Sequence, residues 1–247
     1  IGKSLIKIIK KDKKNFDVRL LSAEKNHKLL LKQAKLLNVK NLIISNLKSY
    51  HIIKKKLKGN NIRVFNNYQN LNKIFPSKID YTMSAISGLE GLYPTKNIIK
   101  YTKLIAIANK ETIICAWNIL KKEIDQNKTE FIPVDSEHFS LWFALKGLNS
   151  SNVKKIYLTA SGGPFENYPI NKLQGVRIVD ALKHPNWRMG KKISIDSATM
   201  MNKVFEIIEA KNLFNVDYDK LSILIHPKSY IHAIVQFNSG LTKLVAH

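Results

Sequence analysis

The chain has 247 residues, 45% of them hydrophobic and 24% charged, which is too apolar for a disordered protein and enough for one large domain or two small ones. The chain has a single cysteine, Cys115, and no apolar run near the ~20 residues that span a bilayer. These features exclude a disulfide-stapled secreted protein and a membrane-spanning one, so a cytoplasmic protein is expected. The formal net charge of +23 would suggest a polyanionic partner, but nearly all the basic residues are lysines spread along the chain, which does not predict specific nucleic-acid binding.

The first half of the sequence alternates predicted helices and strands. In chain order, the hydrophobic spacing predicts a helix at 2–10, a strand at 16–22, a helix at 26–37, a strand at 41–45, a helix at 47–57, and strands at 62–65, 81–86 and 104–108 with a helix between the last two. Such alternation is typical of a parallel sheet with crossover helices, whose ligands bind beyond the carboxyl ends of the strands. We therefore expect residues 1–108 to form a nucleotide-binding type of domain.

The second half, residues 109–247, changes character and predicts a separate domain. The pattern predicts a helix at 110–122, strands at 131–134 and 153–158, a loop-rich stretch at 159–192, a helix at 198–213, and strands at 221–225, 230–237 and 242–245. Asp196 or Ser197 is expected to cap the 198–213 helix. The apolar side chains of that helix are expected to pack against a core and to leave a polar strip facing a cleft. Those side chains are Met200, Met201, Val204 and Ile208.

An acidic pair follows the predicted strand at 131–134. In extended backbone Asp135 and Glu137, at positions i and i+2, point to the same side. Two carboxylates at the end of a strand suit a hard divalent cation such as Mg²⁺ or Mn²⁺. The alternative, that Ser136 or Asp135 only caps the next helix, is equally open from this segment alone.

A polar trio lies on one face of the 198–213 helix. Asn202 and Glu206 are four residues apart, and Lys203 and Glu206 are three apart, a spacing that places all three on one side. Glu206 could join the acidic pair around a metal ion, while Asn202 and Lys203 could bind a phosphate or sugar oxygen. The alternative is an ordinary exposed Lys–Glu pair. The pattern favours this alternative when the trio is considered without its apolar neighbours.

Two loops complete the candidate site. Segment 159–165 places Ser161 in a run of small residues after a strand, where backbone N–H groups can approach an anion closely. Segment 184–190 combines His184, Trp187 and Gly190 in a loop bounded by proline and glycine, which is typical of a mobile lid that excludes water. A loop pinned to the core by Trp187 is equally compatible with the sequence.

Six segments occur in an order that resembles the 1-deoxy-D-xylulose 5-phosphate reductoisomerase family. They are 109–111 (Asn-Lys-Glu), 133–138, 158–165, 184–190, 196–206 and 225–232 (Ile-His-Pro-Lys-Ser-Tyr-Ile-His). The resemblance covers essentially the whole chain. It implies an α/β fold: a Rossmann-like NADPH-binding domain at 1–108, lacking its first strand, followed by an α+β catalytic domain at 109–247, with the C-terminal helical domain absent.

The resemblance also implies an activity and its cofactors. The reaction would be the rearrangement and reduction of 1-deoxy-D-xylulose 5-phosphate to 2-C-methyl-D-erythritol 4-phosphate, a step of non-mevalonate isoprenoid precursor synthesis. It would use NADPH and one divalent metal ion (Mg²⁺, Mn²⁺ or Co²⁺). The implied protein is a homodimer when full length, in the bacterial cytoplasm or in a plastid-type organelle of a eukaryote, with no specific nucleic-acid partner and no membrane partner.

The family motifs assign roles to residues of this chain. The implied metal ligands are Asp135, Glu137 and Glu206. The implied substrate-binding residues are Lys110, Ser136, Glu137, Ser161, His184, Ser197, Asn202, Lys203, Glu206 and His232, of which Glu137, Lys110, His184 and Glu206 are the implied catalytic residues. The implied cofactor-binding residues are Ile1, Gly2, Lys25, Asn26, Asn109, Glu111 and Gly190.

Two departures from the family pattern concern the cofactor. The family's glycine-rich loop is represented only by Ile1 and Gly2, and Glu24 stands where the family has glycine. An acidic side chain near the 2′-phosphate of NADPH would be unfavourable. We expect the sequence to be an internal fragment that lacks both ends. A metal-dependent sugar-phosphate isomerase or hydrolase without redox chemistry is the alternative function.

Overall fold

The computed structural model describes residues 1–184 and 190–246, which form two compact units. Unit 1 contains Ile1–Thr112 and Asn118–Phe131, and unit 2 contains Ile113–Trp117 and Ile132–His247. This division differs from the sequence-based boundary after residue 108. Unit 1 continues past that boundary to Phe131, apart from five residues of the helix Lys110–Gln126 that group with unit 2, and the continuous pattern of this helix carries no sign of the change.

The secondary structure follows the predicted alternation. The helices are α1 (Gly2–Lys11), α2 (His27–Leu37), α3 (Leu47–Lys56), α4 (Leu92–Ile99), α5 (Lys110–Gln126), α6 (Ser136–Leu145), α7 (Ile178–Ala181), α8 (Lys191–Ala198) and α9 (Met201–Phe214). The strands are β1 (Leu21–Ala23), β2 (Asn41–Ile44), β3 (Arg63–Phe65), β4 (Ile79–Ser84), β5 (Thr102–Ile107), β6 (Glu130–Pro133), β7 (Val153–Ala160), β8 (Leu221–Ile225), β9 (Ile231–Phe237) and β10 (Thr242–Ala246). Across residues 1–184 and 190–246, no helix combines the length and the apolar character needed to cross a bilayer.

Unit 1 is built on parallel strands with helical crossovers. Strands β1, β2 and β3 pair in parallel in that order, and β4 pairs in parallel with β5 in a second sheet of order β4-β5-β6. All four residues of β2 are buried, as expected for a strand covered on both faces. Helices α2 and α3 begin where the amide side chains of Asn26 and Asn46 accept backbone N–H bonds. The expected α/β domain is therefore confirmed.

Unit 2 contains a mixed four-stranded sheet of order β10-β9-β7-β8. Strand β7 pairs in parallel with β8 and antiparallel with β9, and β9 and β10 form the expected hairpin. The core of unit 2 packs Val153, Ile156 and Leu158 of β7 against Leu141 of α6 and Ala210 of α9. This packing fixes the end of β7, the start of α6 and the inner face of α9 near one another.

The helix expected at 198–213 is α9, and a further helix, α8, precedes it where the sequence analysis predicted none. Helix α8 ends at Ala198, and α9 begins at Met201 after Met200 adopts a left-handed conformation with φ of 60°. Asp196 and Ser197 lie inside α8, so the prediction that one of them caps the second helix is wrong. No glycine or proline marks the break, which explains why the sequence pattern does not reveal it.

Candidate metal and substrate site

Three carboxylates from two elements converge in unit 2. Asp135 is the N-cap of α6, Glu137 lies in its first turn, and Glu206 comes from α9. One carboxylate oxygen from each lies within 4.8 Å of the others. The predicted convergence is confirmed, but the extended backbone proposed for it is wrong, because Glu137 is helical. The capping alternative also holds, since Asp135 Oδ1 accepts the Glu137 backbone N–H at 3.3 Å.

The amine of Lys203 lies among these carboxylates. Its Nζ is 3.1 Å from Glu137 Oε1, and it makes closer contacts with Glu206 Oε2 and with the backbone carbonyl of Thr159. Burial would lower the pKa of Lys203, but the Glu206 and Glu137 carboxylates outweigh this effect and raise its pKa above the ordinary 10.5. Lys203 is therefore a buried ammonium group at neutral pH.

Glu137 is surrounded by groups that favour its ionised form. Burial and the Asp135 carboxylate would raise the pKa of Glu137, but contacts with His232, Lys203 and Ser136 outweigh them and lower it. Ser136 Oγ donates to Glu137 Oε2 at 2.6 Å, and His232 Nδ1 lies 3.7 Å from Glu137 Oε1. The structure thus brings the predicted residues Ser136, Lys203 and His232 to the same carboxylate.

His138 is a member of the site that the sequence analysis missed. It is fully buried, with Nδ1 3.1 Å from Asp135 Oδ1 and 3.5 Å from Glu209 Oε2, and with Nε2 2.9 Å from the Glu206 carbonyl oxygen. Burial would lower the pKa of His138, but the Glu209 and Asp135 carboxylates raise it to about 9. Because a carboxylate and a carbonyl are both acceptors, the protonated ring donates from both nitrogens.

The signal for His138 and Glu209 is their spacing. His138 lies three residues after Asp135, and Glu209 three residues after Glu206, so each shares a helix face with a predicted metal ligand. Asp135, His138 and Glu209 also bring ligand atoms close together. The protonated ring donates to acceptors in this second group, so in this structure the group acts as a hydrogen-bonded network.

Acidic groups outnumber basic groups in this buried cluster. Its carboxyl groups are those of Asp135, Glu137, Glu206 and Glu209, and its basic groups include Lys203 and His138. Buried charges are retained in proteins when they are paired or when they coordinate a metal ion. A divalent cation would add positive charge to this acidic group.

Helix α9 turns its polar face inward because these ions compensate one another. Lys203, Glu206 and Glu209 are at most 5% exposed, whereas Met201 and Val204 are 41% and 44% exposed. The expectation that Met201 and Val204 hold the helix against a core is therefore wrong. Met200 and Ile208 are half-buried, and the polar strip is buried together with Ala210, which packs in the core of unit 2.

The turn after β7 forms a second part of the site. Ser161 Oγ lies 3.1 Å from His184 Nε2, and the Gly163 N–H points at the same hydroxyl at 3.4 Å. Burial lowers the pKa of His184, which keeps the ring neutral at pH 7. A Cβ atom on Gly163 would lie 3.0 Å from the carbonyl oxygen of Ser197, so this turn approaches α8 closely. The approach of these backbone N–H groups to an anion, expected from the sequence, stays a prediction.

The remaining predicted substrate residue of α9 contacts a predicted metal ligand. Asn202 Nδ2 donates to Glu206 Oε1 across one turn of the helix. Within the predicted lid at 184–190, residues 185–189, which include Trp187, lie outside the described residues.

The predicted cofactor residues lie at or beside helix starts. The Asn109 side chain caps α5 by accepting the Thr112 N–H at 2.7 Å and donates to the Gly88 carbonyl at 2.7 Å. Asn26 caps α2, and Lys25 forms an ion pair with Glu24 at 2.8 Å that raises the pKa of Lys25. Ile1 and Gly2 begin α1, Lys110 and Glu111 begin α5, and Gly190 precedes α8.

Comparison with known proteins gives one consistent family. The sequence model of 1-deoxy-D-xylulose 5-phosphate reductoisomerase matches residues 1–117, and that of the reductoisomerase C-terminal domain matches residues 131–214. The reductoisomerase of Pelagibacter ubique (strain HTCC1062) is 61% identical over 249 residues, covering 100% of this chain and 64% of the relative. That of Wolbachia pipientis wMel is 44% identical, covering 97% of this chain and 61% of the relative.

Solved structures agree with the sequence matches. The reductoisomerase of Zymomonas mobilis in complex with NADPH superimposes with a TM-score of 0.87 at 35% identity, covering 99% of this chain and 63% of the other. A DOX-P reductoisomerase in complex with NADPH, fosmidomycin and magnesium superimposes with a TM-score of 0.88 at 31% identity, covering 99% of this chain and 63% of the other. The chain therefore spans somewhat less than two thirds of the length of each of these relatives.

Proposed function

Because this chain belongs to the 1-deoxy-D-xylulose 5-phosphate reductoisomerase family, we propose that the protein containing it converts 1-deoxy-D-xylulose 5-phosphate to 2-C-methyl-D-erythritol 4-phosphate. The reaction would use NADPH and one divalent metal ion. The observation that carries this proposal is the convergence of Asp135, Glu137 and Glu206 beside Lys203. These residue types at these positions match what the family resemblance implies.

The three carboxylates fit a hard divalent cation. Their oxygen donors suit Mg²⁺, Mn²⁺ or Co²⁺. The lowered pKa of Glu137 keeps this donor deprotonated at neutral pH. When bound, the ion would polarise the substrate ketone and acidify the neighbouring hydroxyl. Glu137, which also contacts Ser136, is placed to hold a proton from a substrate hydroxyl.

The residues around Ser161 would bind and orient the sugar phosphate. The Ser161 hydroxyl and the neutral His184 ring form a hydrogen-bonded pair beside the backbone N–H of Gly163. We propose that these groups, with Ser197, Asn202 and Lys203, hold the phosphate and the adjacent hydroxyls. Fixing the chain in one orientation is the main contribution that such binding groups make to a rearrangement. His232 would contribute from the Glu137 side, and Lys110 is proposed to contact the substrate as the family resemblance implies.

Unit 1 would bind the cofactor at the carboxyl edge of its parallel strands. When bound, NADPH would supply the hydride that reduces the rearranged aldehyde. We propose Ile1, Gly2, Lys25, Asn26, Asn109 and Glu111 as its contacts in unit 1, while Gly190, which the family resemblance also implies, belongs to unit 2. Lys25 forms an ion pair with Glu24, and this pairing would offset the repulsion between Glu24 and the 2′-phosphate of NADPH.

The setting of the reaction is part of the same proposal. A homodimeric assembly, a place in non-mevalonate isoprenoid precursor synthesis and a cytoplasmic location follow from the family resemblance. The bacterial origin of the relatives supports a bacterial source.

Product analysis tests the proposed function against a non-redox sugar-phosphate isomerase or hydrolase. The complete protein would be incubated with 1-deoxy-D-xylulose 5-phosphate and Mg²⁺, with and without NADPH, and the products identified by NMR. We expect 2-C-methyl-D-erythritol 4-phosphate only when NADPH is present. A different sugar phosphate, or released inorganic phosphate, formed equally without NADPH would establish the non-redox alternative.

A further inference from the structure

The Lys203 amine contacts two of the three carboxylates that a metal ion would need. Its Nζ contacts Glu137 Oε1 and Glu206 Oε2, and both carboxylates belong to the proposed metal-binding group. The Lys203 side chain is only 6% exposed, so the amine is enclosed by these contacts. A divalent cation and this ammonium group therefore compete for the same two carboxylates.

Electrostatics makes this arrangement reasonable in the absence of metal. Three carboxylates held within 4.8 Å of one another repel strongly in a buried site. The ammonium group of Lys203 offsets that repulsion and keeps Glu137 and Glu206 facing each other. Once a divalent cation lies between the carboxylates, the same ammonium group is repelled by it.

One of the Lys203 contacts is not shared with the metal site. The amine also donates to the backbone carbonyl of Thr159, near the end of β7 and two residues before Ser161. This carbonyl can keep the amine beside the proposed phosphate-binding turn after it leaves the carboxylates. A short movement of a flexible side chain is then sufficient to turn Lys203 from the carboxylates to the substrate.

We propose that Lys203 is a positioning residue that takes the place of the divalent cation in the metal-free protein. It holds Glu137 and Glu206 in place before metal binds, and it moves off them towards the substrate when metal binds. Metal binding thus makes the Lys203 charge available to the sugar phosphate, and metal binds before substrate. This inference rests on the proposed function, because it takes Glu137 and Glu206 as metal ligands.

The first test uses the unmodified complete protein. An amine-acylating reagent would be applied in chelator and then in Mn²⁺ without substrate, and the modification of each lysine followed by peptide mass spectrometry. We expect Lys203 to react slowly in chelator and severalfold faster in Mn²⁺. Lys211, on the same helix but paired with the exposed Asp217, would be the internal control with a constant rate. A Lys203 rate that Mn²⁺ leaves unchanged or lowers would overturn the proposal.

The second test compares Lys203→Met with the matched control Lys211→Met. Mn²⁺ affinity would be measured by calorimetry without substrate, and the thermal unfolding midpoint would be measured in chelator. We expect Lys203→Met to bind Mn²⁺ at least about fivefold more tightly than wild type, because no ammonium group has to be displaced. We also expect it to unfold at a lower temperature in chelator. Lys211→Met should match the wild type in both measurements.

The outcomes distinguish a failure of the Lys203 proposal from a failure of the proposed function. Mn²⁺ affinity that is unchanged or weakened in Lys203→Met would refute the role of Lys203 while leaving the metal site intact. Failure of the wild-type protein to bind Mn²⁺ at all would instead refute the proposed function on which the inference rests. If Lys203→Met does not fold, the acylation rates of the wild-type protein still decide the question.

Discussion

At the scale of single residues, Glu206 has the most demanding position in the site. It is 1% exposed and contacts both Asn202 and Lys203. We expect Glu206→Gln to weaken Mn²⁺ binding by more than the ~10- to 100-fold that follows loss of an outer-shell partner, and to nearly abolish turnover. Calorimetry and steady-state kinetics would measure this, with the exposed Asp217→Asn as the control. Wild-type activity in Glu206→Gln would remove this residue from the proposed ligand set.

His138 predicts a specific dependence of stability on pH. Its pKa is raised from 6.5 to about 9 in the folded protein. A group whose pKa is higher in the folded than in the unfolded protein stabilises the fold fully at pH values below its unfolded-state pKa. This contribution to stability is lost as the pH rises through the folded-state pKa. In chelator, the free energy of unfolding of the wild type should therefore fall by about 3 kcal/mol between pH 6.5 and 9 relative to His138→Gln. Urea titrations across this range measure it, and parallel pH profiles for the two proteins would contradict it.

Replacing His138 should also lower the stability of the fold at neutral pH. Its loss leaves Asp135 and Glu209 without their shared buried cation, a change that destabilises proteins by about 3–5 kcal/mol. We expect this loss for His138→Leu in urea unfolding. His51→Leu, which changes an exposed histidine, should stay within about 0.5 kcal/mol of the wild type. Equal stability of the two variants would mean that His138 is not part of a buried ionic network.

Residue spacing predicted the three carboxylates but not their partners. Asp135, Glu137 and Glu206 are recognisable because acidic residues follow a strand and recur on a helix. His138 and Glu209 become recognisable only when burial is known, since an exposed His or Glu at the same spacing would be unremarkable. The spacing of Lys203 and Glu206 on α9 was visible in the sequence, but the contact of Lys203 with Glu137 joins two helices and was not.

At the scale of elements, the turn after β7 depends on a glycine that packs against α8. Gly163 has φ of 74°, and a Cβ there would lie 3.0 Å from the Ser197 carbonyl. Gly240, in the hairpin turn, has φ of 86° with nothing within 4 Å of such a Cβ. An alanine at either position would have to adopt a left-handed conformation, which costs about 1–2 kcal/mol.

Comparing alanine substitutions at these two glycines isolates the effect of the close approach between the turn after β7 and α8. We expect Gly163→Ala to lose more stability than Gly240→Ala, and to raise KM for the sugar phosphate while Gly240→Ala leaves it unchanged. Unfolding measurements and kinetics on both variants test this. Equal effects of the two substitutions would mean that the spacing between this turn and α8 does not matter to the site.

Most elements were predictable because their patterns are local. The strand–helix alternation of unit 1 and the hairpin of β9 and β10 follow from periodicity and turn residues. The break at Met200 and the inward polar face of α9 were not predictable, because both depend on tertiary contacts. An amphipathic pattern assumes that polar residues face water, and α9 buries them as compensating ions instead.

At the scale of the whole molecule, the metal ion should stabilise the fold. A ligand that binds only the native state raises stability in proportion to the logarithm of its concentration over its dissociation constant. Mn²⁺ at about 100 times its dissociation constant should therefore add about 2.7 kcal/mol to the wild type. Thermal unfolding with and without Mn²⁺ measures the shift, and Glu206→Gln should show little of it. An equal shift in both proteins would place the bound ion elsewhere.

The central claim is that this chain's carboxylate cluster serves a metal-dependent reduction of a sugar phosphate. The most direct measurement is NADPH oxidation by the complete protein given 1-deoxy-D-xylulose 5-phosphate, in chelator and after Mg²⁺ or Mn²⁺ is restored. We predict oxidation only when the sugar phosphate and the metal are both present. Oxidation that persists in chelator, or none when all components are present, would contradict the account.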